Sequence, residues 1–296
     1  MSRIHYTHCP VCSSVNINPL LTVKDFSVSS EDFVVWQCAD CTLRFTQDVP
    51  DEDSIGPYYA SADYISHSNT GKGLINGLYQ RVRKLTLQQK AKLITAYTKA
   101  KGSVLDVGAG VGAFLSVMKE AGWNITGIEP DEVARGNAEK LFGLTLQTPS
   151  TLYQMQAESY DAITLWHVLE HVHDLHKYVE QLKILLANNG KLFVAVPNYT
   201  SADAAAYRNY WAAYDVPRHL YHFTPKAIEK LMTLHGLKIV AKKPMFFDAF
   251  YISLLSSKYH KGKTSWFQAG WNGLKSNLTA LMDNDKCSSI IYVVSK

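Results

Sequence analysis

From residue 103 onward the hydrophobic positions fall into two alternating rhythms. Short apolar runs at Ser103–Val107, Asn124–Ile128, Leu144–Gln147, Tyr160–Trp166 and Lys191–Val196 have the length of buried strands. Between them, apolar positions spaced three and four apart predict helices over Ala113–Ala121, Val133–Leu141 and Leu175–Leu186. Asp174 is placed to cap the last of these, and Asn188-Asn189-Gly190 to stop it. Thr224 caps a further helix over PKAIEKLMTLHG, followed by strands at Leu237–Lys242 and Ser288–Val294. Repeated strand–helix units predict a doubly wound α/β domain with a mostly parallel, seven-stranded sheet. Residues 246–285 interrupt it with an aromatic insertion, read as helical, ahead of the last strand.

The first hundred residues break this rhythm. Cys9-Pro-Val-Cys12 and Cys38-Ala-Asp-Cys41 are two C-x-x-C pairs with 25 residues between them. Each pair fits a tight turn that points both sulfurs the same way, and two such turns bring four thiolates round one zinc ion. FVVWQC (33–38) enters the second turn as a strand and LRFT (43–46) leaves it, a zinc-ribbon pattern. A redox pair would instead use a single C-x-x-C at a strand–helix junction. A site closed by four sulfurs is structural, and it holds a segment too small for its own core. The stretch from Asp48 to Gly73 is polar and rich in tyrosine, including Tyr59 and Tyr64, and reads as a covering arm or a surface linker. Leu74–Ala100 then follows a helical period. The predicted organisation is a ribbon at 1–50, an arm and lead-in helix at 51–100, and the α/β domain with its insertion at 101–296.

Composition narrows the function classes. The chain has 296 residues, 47% hydrophobic and 19% charged, enough apolar material for a large core. Its net charge of +4 is spread out, and the densest patch, Arg81-Val-Arg83-Lys84, lies on a helical period as a solvated face. Nucleic-acid binding is therefore allowed but not indicated. No uncharged apolar run reaches membrane-spanning length: FFDAFYISLL at 246–255 is short and contains Asp248. With no apolar signal core at MSRIHYTHCP, a cytoplasmic protein with reduced cysteines and no membrane span is expected, Cys287 being a core residue.

The first strand of the α/β region ends in Asp106-Val107-Gly108-Ala109-Gly110-Val111-Gly112, just before a helix. Glycines at such a turn let the backbone approach a ligand at the carboxyl end of the strand. The spacing is not that of a dinucleotide fingerprint, and Asp106 would repel a diphosphate while attracting an ammonium or sulfonium group. The next strand ends at Glu129-Pro130, 23 residues after Asp106, where a carboxylate suits the two hydroxyls of a ribose.

VLDVGAGVGAFL, GIEPDEVA, SYDAITLWHVLEHV and GKLFVAVPN together resemble class I S-adenosylmethionine-dependent methyltransferases, over Ser103 to about Val240. The resemblance implies a Rossmann-like fold, with Asp106 and Gly108–Gly110 near the methionine part of the cofactor and Glu129 on the ribose. It also places Trp166, His167 and Val168 at the lining of the cofactor pocket. The usual acid after the third strand is missing, because TLQTPSTL offers only Gln147 and Thr148.

His167-Val-Leu-Glu170-His171 matches H-x-x-E-H, a zinc-peptidase pattern that needs both histidines on one helix. Here a strand precedes it and the next helix starts only at Asp174, which excludes that reading. Glu170 and His171 are expected to brace the loop. Quinone-ring and small-RNA O-methyltransferases are similar here but carry E-x-x-E-H, which ligates a divalent metal. His167 replaces the first Glu of that pattern, which disfavours a hard cation. Further on, Asp215-Val-Pro-Arg218-His219-Leu-Tyr-His222-Phe-Thr224 resembles a segment of deoxysugar C-methyltransferases that supplies a histidine base. Those enzymes share the four-cysteine motif, but Arg218, Val216 and His222 depart from their pattern, and no counterpart of their extra C-terminal domain is expected. The sequence thus predicts methyl transfer to a small-molecule or glycan-precursor acceptor, with His219 as base and Tyr59 or Tyr64 closing the pocket. The alternatives are an RNA methyltransferase that uses the ribbon for recognition, and a non-catalytic cofactor-binding or interaction protein.

Overall fold

In a computed structural model the described residues are 2–60, 74–98 and 100–296, with backbone alone over 74–81. The chain opens with short strands β1 (Arg3–Ile4), β2 (Ile17–Lys24), β3 (Asp32–Cys38), β4 (Arg44–Thr46) and β5 (Val49–Pro50). Helix α1 (Leu74–Thr98) leads into β6 (Ser103–Val107), α2 (Ala113–Glu120), β7 (Asn124–Ile128) and α3 (Glu132–Phe142). Next come β8 (Tyr160–Trp166), α4 (Leu175–Leu185), β9 (Leu186–Pro197) and α5 (Ala202–Tyr207). The chain ends with β10 (Tyr221–His222), α6 (Pro225–Leu234), β11 (Lys238–Pro244), α7 (Phe246–Lys261), α8 (Trp266–Met282) and β12 (Ser289–Ser295).

The main sheet has six strands in the order β11-β12-β9-β8-β6-β7, with β6 parallel to both β7 and β8. This is the expected Rossmann-like, mostly parallel sheet with one strand fewer than the seven predicted. The segment read as a strand at Leu144–Gln147 makes only a single parallel bridge, Ile128 to Gln147, before Pro149 turns the chain into a 3-10 helix. The strand expected at Lys191 instead begins at Leu186, directly after α4, so Asn188-Asn189-Gly190 lies within β9 rather than stopping the helix. Asp131 and Thr224 cap α3 and α6 by accepting from the N–H groups of Ala134 and Ala227.

Contacts divide the chain into two units. One comprises 66–166, 179–194 and 293–296, and it carries β6, the glycine turn, β7 and β8. The other comprises 1–65, 167–178 and 195–292. In it, β2, β3 and β4 form an antiparallel sheet whose fourth strand is β10, with Tyr221 opposite Phe45 and His222 opposite Arg44. The ribbon residues Val23, Phe33 and Val35 share a core with Trp211, Tyr214 and Val216 from the segment before β10. Burial of this kind contributes about 25 cal/mol per Å² of apolar surface, which the ribbon's own short strands could not supply alone.

Candidate active site

Within the first unit, β6 delivers Asp106 to the sheet's carboxyl edge, and the chain turns through Gly108, Gly110 and Gly112, all at positive φ. The turn is pinned because the N–H groups of Gly108 and Ala109 both donate to the Ile128 carbonyl. At Gly110 (φ 55°) a Cβ would meet no atom of the described residues within 4 Å, so conformation rather than space demands this glycine. Glu129, at the end of β7, accepts hydrogen bonds from Gly110 N–H (2.7 Å) and Asp131 N–H (2.9 Å). Arg135 fixes the following backbone by donating to the carbonyls of Glu129 and Pro130.

Asp106 is buried, and Thr164 Oγ1 donates to its Oδ1 at 2.6 Å. Burial pushes its pKa up to about 7, with the Glu129 charge adding to the rise while Thr164 and Lys90 oppose it. Burial likewise raises Glu129. Two buried acids on adjacent strand ends are costly unless a cationic or hydroxyl-rich ligand meets them. Trp166, the last residue of β8, packs edge-on against Phe114 at 5.5 Å and lies under Lys90 Nζ at 4.1 Å from the ring centre. Its buried indole N–H has no partner among the described residues. A deprotonatable buried carboxylate, the glycine turn and this indole N–H fit a methyl donor bearing an ammonium, a sulfonium and a ribose. Thr164 and Lys90 were invisible in the sequence as site residues, because their contact with this edge depends on strand order and helix placement.

Within the second unit, the chain leaves β8 through His167, whose φ of 59° lies in the left-handed region. Both ring nitrogens face acids: Nε2 is 2.9 Å from Asp248 Oδ2, and Nδ1 is 3.3 Å from Glu170 Oε1. Partial burial opposes charge on this imidazole, but the two carboxylates prevail and push its pKa up to about 10. His167 is therefore held between two acids that favour its imidazolium form. Asp248 comes from α7, inside the insertion, and no local sequence signal marks it as a partner of His167.

Glu170 and His171 lie in the 3-10 turn Leu169–His171, which is tied to the segment before β10 because Leu220 N–H donates to the Glu170 carbonyl. Val168, half-buried, precedes that turn. Glu170 has no exposed surface; its Oε1 faces His167 Nδ1 at 3.3 Å, and its Oε2 has no hydrogen-bond partner among the described residues. Its charge is held by His167 and by nearby His219 and His171, which lower its pKa against the effect of burial. His171 Nδ1 is 3.0 Å from the Arg218 carbonyl and 3.1 Å from the Tyr59 hydroxyl. Burial, with the neighbouring His219, pushes its pKa down to about 4.

His219 is buried, with Nδ1 2.8 Å from the Ala213 carbonyl and its ring 4.6 Å from that of His171. A carbonyl only accepts, so Nδ1 carries the hydrogen in both histidines and Nε2 carries the lone pair. One ligand atom from each of Glu170, His171 and His219 lies within 4.8 Å of the others, a spacing that could hold a metal ion. Arg218 braces this loop. It binds Asp215 through two hydrogen bonds, Asp25 through a third and the Tyr58 carbonyl through a fourth, all at 2.7–3.0 Å. Tyr59 thus sits beside His171, whereas Tyr64 lies outside the described residues.

The four ribbon cysteines also converge. Cys9 Sγ is 3.4 Å from Cys41 Sγ, Cys12 Sγ is 3.6 Å from Cys38 Sγ, and all four sulfurs lie within 4.8 Å of one another. Cys41 and burial raise the pKa of Cys9, and burial raises Cys12 to about 11. Four ionised thiols packed this closely need a cation among them, and the donor set suits zinc.

Residues 79–242 match the family model described as a methyltransferase domain. A ubiquinone biosynthesis O-methyltransferase of Actinobacillus pleuropneumoniae is 39% identical over 109 residues, 33% of this chain and 46% of that protein. The chain thus spans about half the length of the curated relatives it matches first. Magnesium protoporphyrin IX methyltransferase from Synechocystis, solved with S-adenosylhomocysteine, is 16% identical at a TM-score of 0.53, over 83% of this chain and all (100%) of that one. An S-adenosylmethionine-dependent methyltransferase from Archaeoglobus fulgidus is 17% identical at a TM-score of 0.51, over 72% of this chain and 94% of that one. With the glycine turn, the paired strand-end acids and a family match over more than half its length, the chain belongs to the methyltransferase domain family and has the Rossmann-like fold of S-adenosylmethionine-dependent methyltransferases.

Proposed function

We propose that the protein transfers a methyl group from S-adenosylmethionine to a small-molecule or glycan-precursor acceptor, a hydroxyl being the first choice. The observation that carries this reading is the pair of buried acids, Asp106 and Glu129, flanking the glycine turn. When bound, the donor supplies an electrophilic methyl on a sulfonium. Asp106 would hold the cationic methionine end and Glu129 the ribose, with Trp166, His167 and Val168 assigned to the lining of the pocket. The hydroxyl acceptor is favoured by the curated relatives named for O-methylation in ubiquinone biosynthesis. His219 is assigned as the base that takes the acceptor's proton. Its Nδ1–H is held by Ala213, which leaves Nε2 the basic atom, and the Glu170 carboxylate is close enough to stabilise the imidazolium formed. Tyr59 is assigned a positioning role through His171, and the four cysteines a structural zinc ion.

A second reading of the same loop rests on Glu170 Oε2, which lacks a hydrogen-bond partner among the described residues. Glu170, His171 and His219 could instead hold a divalent metal that activates the acceptor, with each Nδ1–H tied to a carbonyl in the manner of metal-ligating histidines. Calorimetry with S-adenosylmethionine, then a screen of hydroxylated acceptors with labelled methyl donor, tests the proposal. A parent protein that binds no donor would end it. Metal analysis separates the readings: one zinc per chain, with turnover insensitive to chelation, favours the base, and a second metal that is lost in Glu170→Gln favours the metal.

A further inference from the structure

Helix α8 is built inside out. Its inward face consists of Ala269, Gly273, Ser276, Asn277 and Ala280, all buried, whereas an ordinary surface helix turns its large apolar residues inward. The small residues let α7 and α8 approach closely: a Cβ at Gly273 would lie 2.6 Å from the Phe250 ring. The polar ones are anchored inward, since Ser276 Oγ donates to Asp203 (2.6 Å) and Asn277 Nδ2 to the Phe246 carbonyl (2.9 Å). The outward face carries the bulk. Phe267, Trp271, Leu274, Leu278 and Leu281 are 87%, 62%, 46%, 54% and 68% exposed, and they recur every three or four positions as one continuous stripe. Trp266 (63%) widens it at the N-terminal end, and Tyr251 and Phe247 of α7 are exposed as well. A 17-residue helix is about 25 Å long, so this is an extended face rather than scattered surface hydrophobics.

The charge around the stripe selects its occupant. From 249 to 282 the chain carries four lysines, at 258, 261, 263 and 275, and no carboxylate, with Asp248 and Asp283 just outside the two ends. Three of the lysines and His260 cluster at the turn between α7 and α8, beside Trp266 and Phe267, and the lysines there are exposed. A second copy packing through this stripe would bring no acidic residue from its own helix to pair with those lysines. An aqueous partner of neutral charge would leave them unused. An apolar stripe with aromatics at one end and lysines beside them matches a helix lying in the plane of an anionic lipid surface, stem apolar and heads basic. No described helix is long and apolar enough to cross a membrane, and a surface-lying helix needs no such length.

We propose that α8 and the lysine-bearing turn before it form a docking face for an anionic membrane surface. This inference stands whether or not the methyl-transfer reading holds. It is tested by flotation of the full chain with phosphatidylcholine vesicles that do or do not contain phosphatidylglycerol. The protein is expected to float with the anionic vesicles, and its tryptophan emission to shift to the blue as Trp266 and Trp271 enter the interface. Phe267→Glu with Leu278→Glu should abolish flotation while leaving thermal melting unchanged, because both side chains are exposed. Lys261→Ala and Lys263→Ala should each weaken binding about fivefold. Failure of the wild type to float with anionic vesicles overturns the proposal. So does concentration-dependent dimerisation that Phe267→Glu abolishes, since a second copy would then cover the stripe.

Discussion

Asp106→Asn offers the sharpest test of the donor site, because it changes charge without changing shape. The asparagine oxygen can still accept from Thr164 Oγ1, which is 2.6 Å from the carboxylate in the wild type. The wild-type carboxyl is raised from 3.8 to about 7, mainly by burial. That displacement is worth about 4 kcal/mol between the protonated and ionised forms. The unfolded chain loses this proton near the ordinary value, while the folded protein keeps it up to about pH 7. Between these limits the folded state binds more protons, so stability falls as pH rises from about 4 to about 7 and is level above. Asparagine removes this slope and should make the variant more stable above pH 7 by up to about 4 kcal/mol. His171 and His222, both held below the usual histidine value by burial, contribute the opposite slope, but they do so equally in both proteins. The difference between the two melting profiles against pH therefore isolates Asp106. Donor binding should follow the other arm of the same linkage. A bound cation favours the ionised carboxylate, so wild-type affinity for S-adenosylmethionine should drop about tenfold per pH unit below 7. The asparagine variant should bind weakly at every pH. Thermal melting and calorimetry across this range measure both effects. Parallel melting profiles, or an asparagine variant that binds the donor as tightly as the wild type, would refute the reasoning.

Other perturbations probe the acceptor side and the ribbon. Arg218→Met should destabilise the protein by about 3–5 kcal/mol in chemical denaturation, because it strands Asp25 and Asp215 without their counter-charge. Adding Asp25→Asn and Asp215→Asn should recover part of that loss. His219→Ala should lower turnover about 10²–10⁴-fold with donor affinity unchanged in calorimetry, and unaltered turnover would end the base assignment. Cys38→Ser should reduce bound zinc below one per chain in elemental analysis and lower the melting temperature, since metal binding and folding of the ribbon are one equilibrium.

The sheet and the glycine turn were legible because they are written locally. Strand-end acids, glycines at a turn and apolar periodicity are each properties of a few neighbouring residues. The ribbon was legible for the same reason, as two cysteine pairs set by short turns. What escaped the sequence is held by long-range contact. The clamp on His167 needs Asp248, 81 residues away, and the brace on His219's loop joins Arg218 to Asp25 across 193 residues. His167 itself was read as pocket lining from its place after a strand, whereas its two acidic neighbours give it a second, structural charge. The insertion was legible as helical, but its inverted faces were not. Only tertiary packing decides which side of α8 turns inward, and here that side carries Ser276, bonded to Asp203, and Asn277, bonded to the Phe246 carbonyl.

The pairing of β10 with β4 has a consequence for how the chain is made. Thr46 and His222, which touch across this pair, are 176 residues apart. At ordinary synthesis rates of about 5–20 residues per second, roughly 10–35 seconds separate their emergence from the ribosome. Throughout that interval β4 is an open edge, ready to pair with any passing strand. The three ribbon strands then have only the β2–β3 and β3–β4 pairings and the cysteine cluster to keep their register. Early metal capture would close that window, so zinc supply during translation should govern the yield of soluble protein more strongly than zinc supplied afterwards.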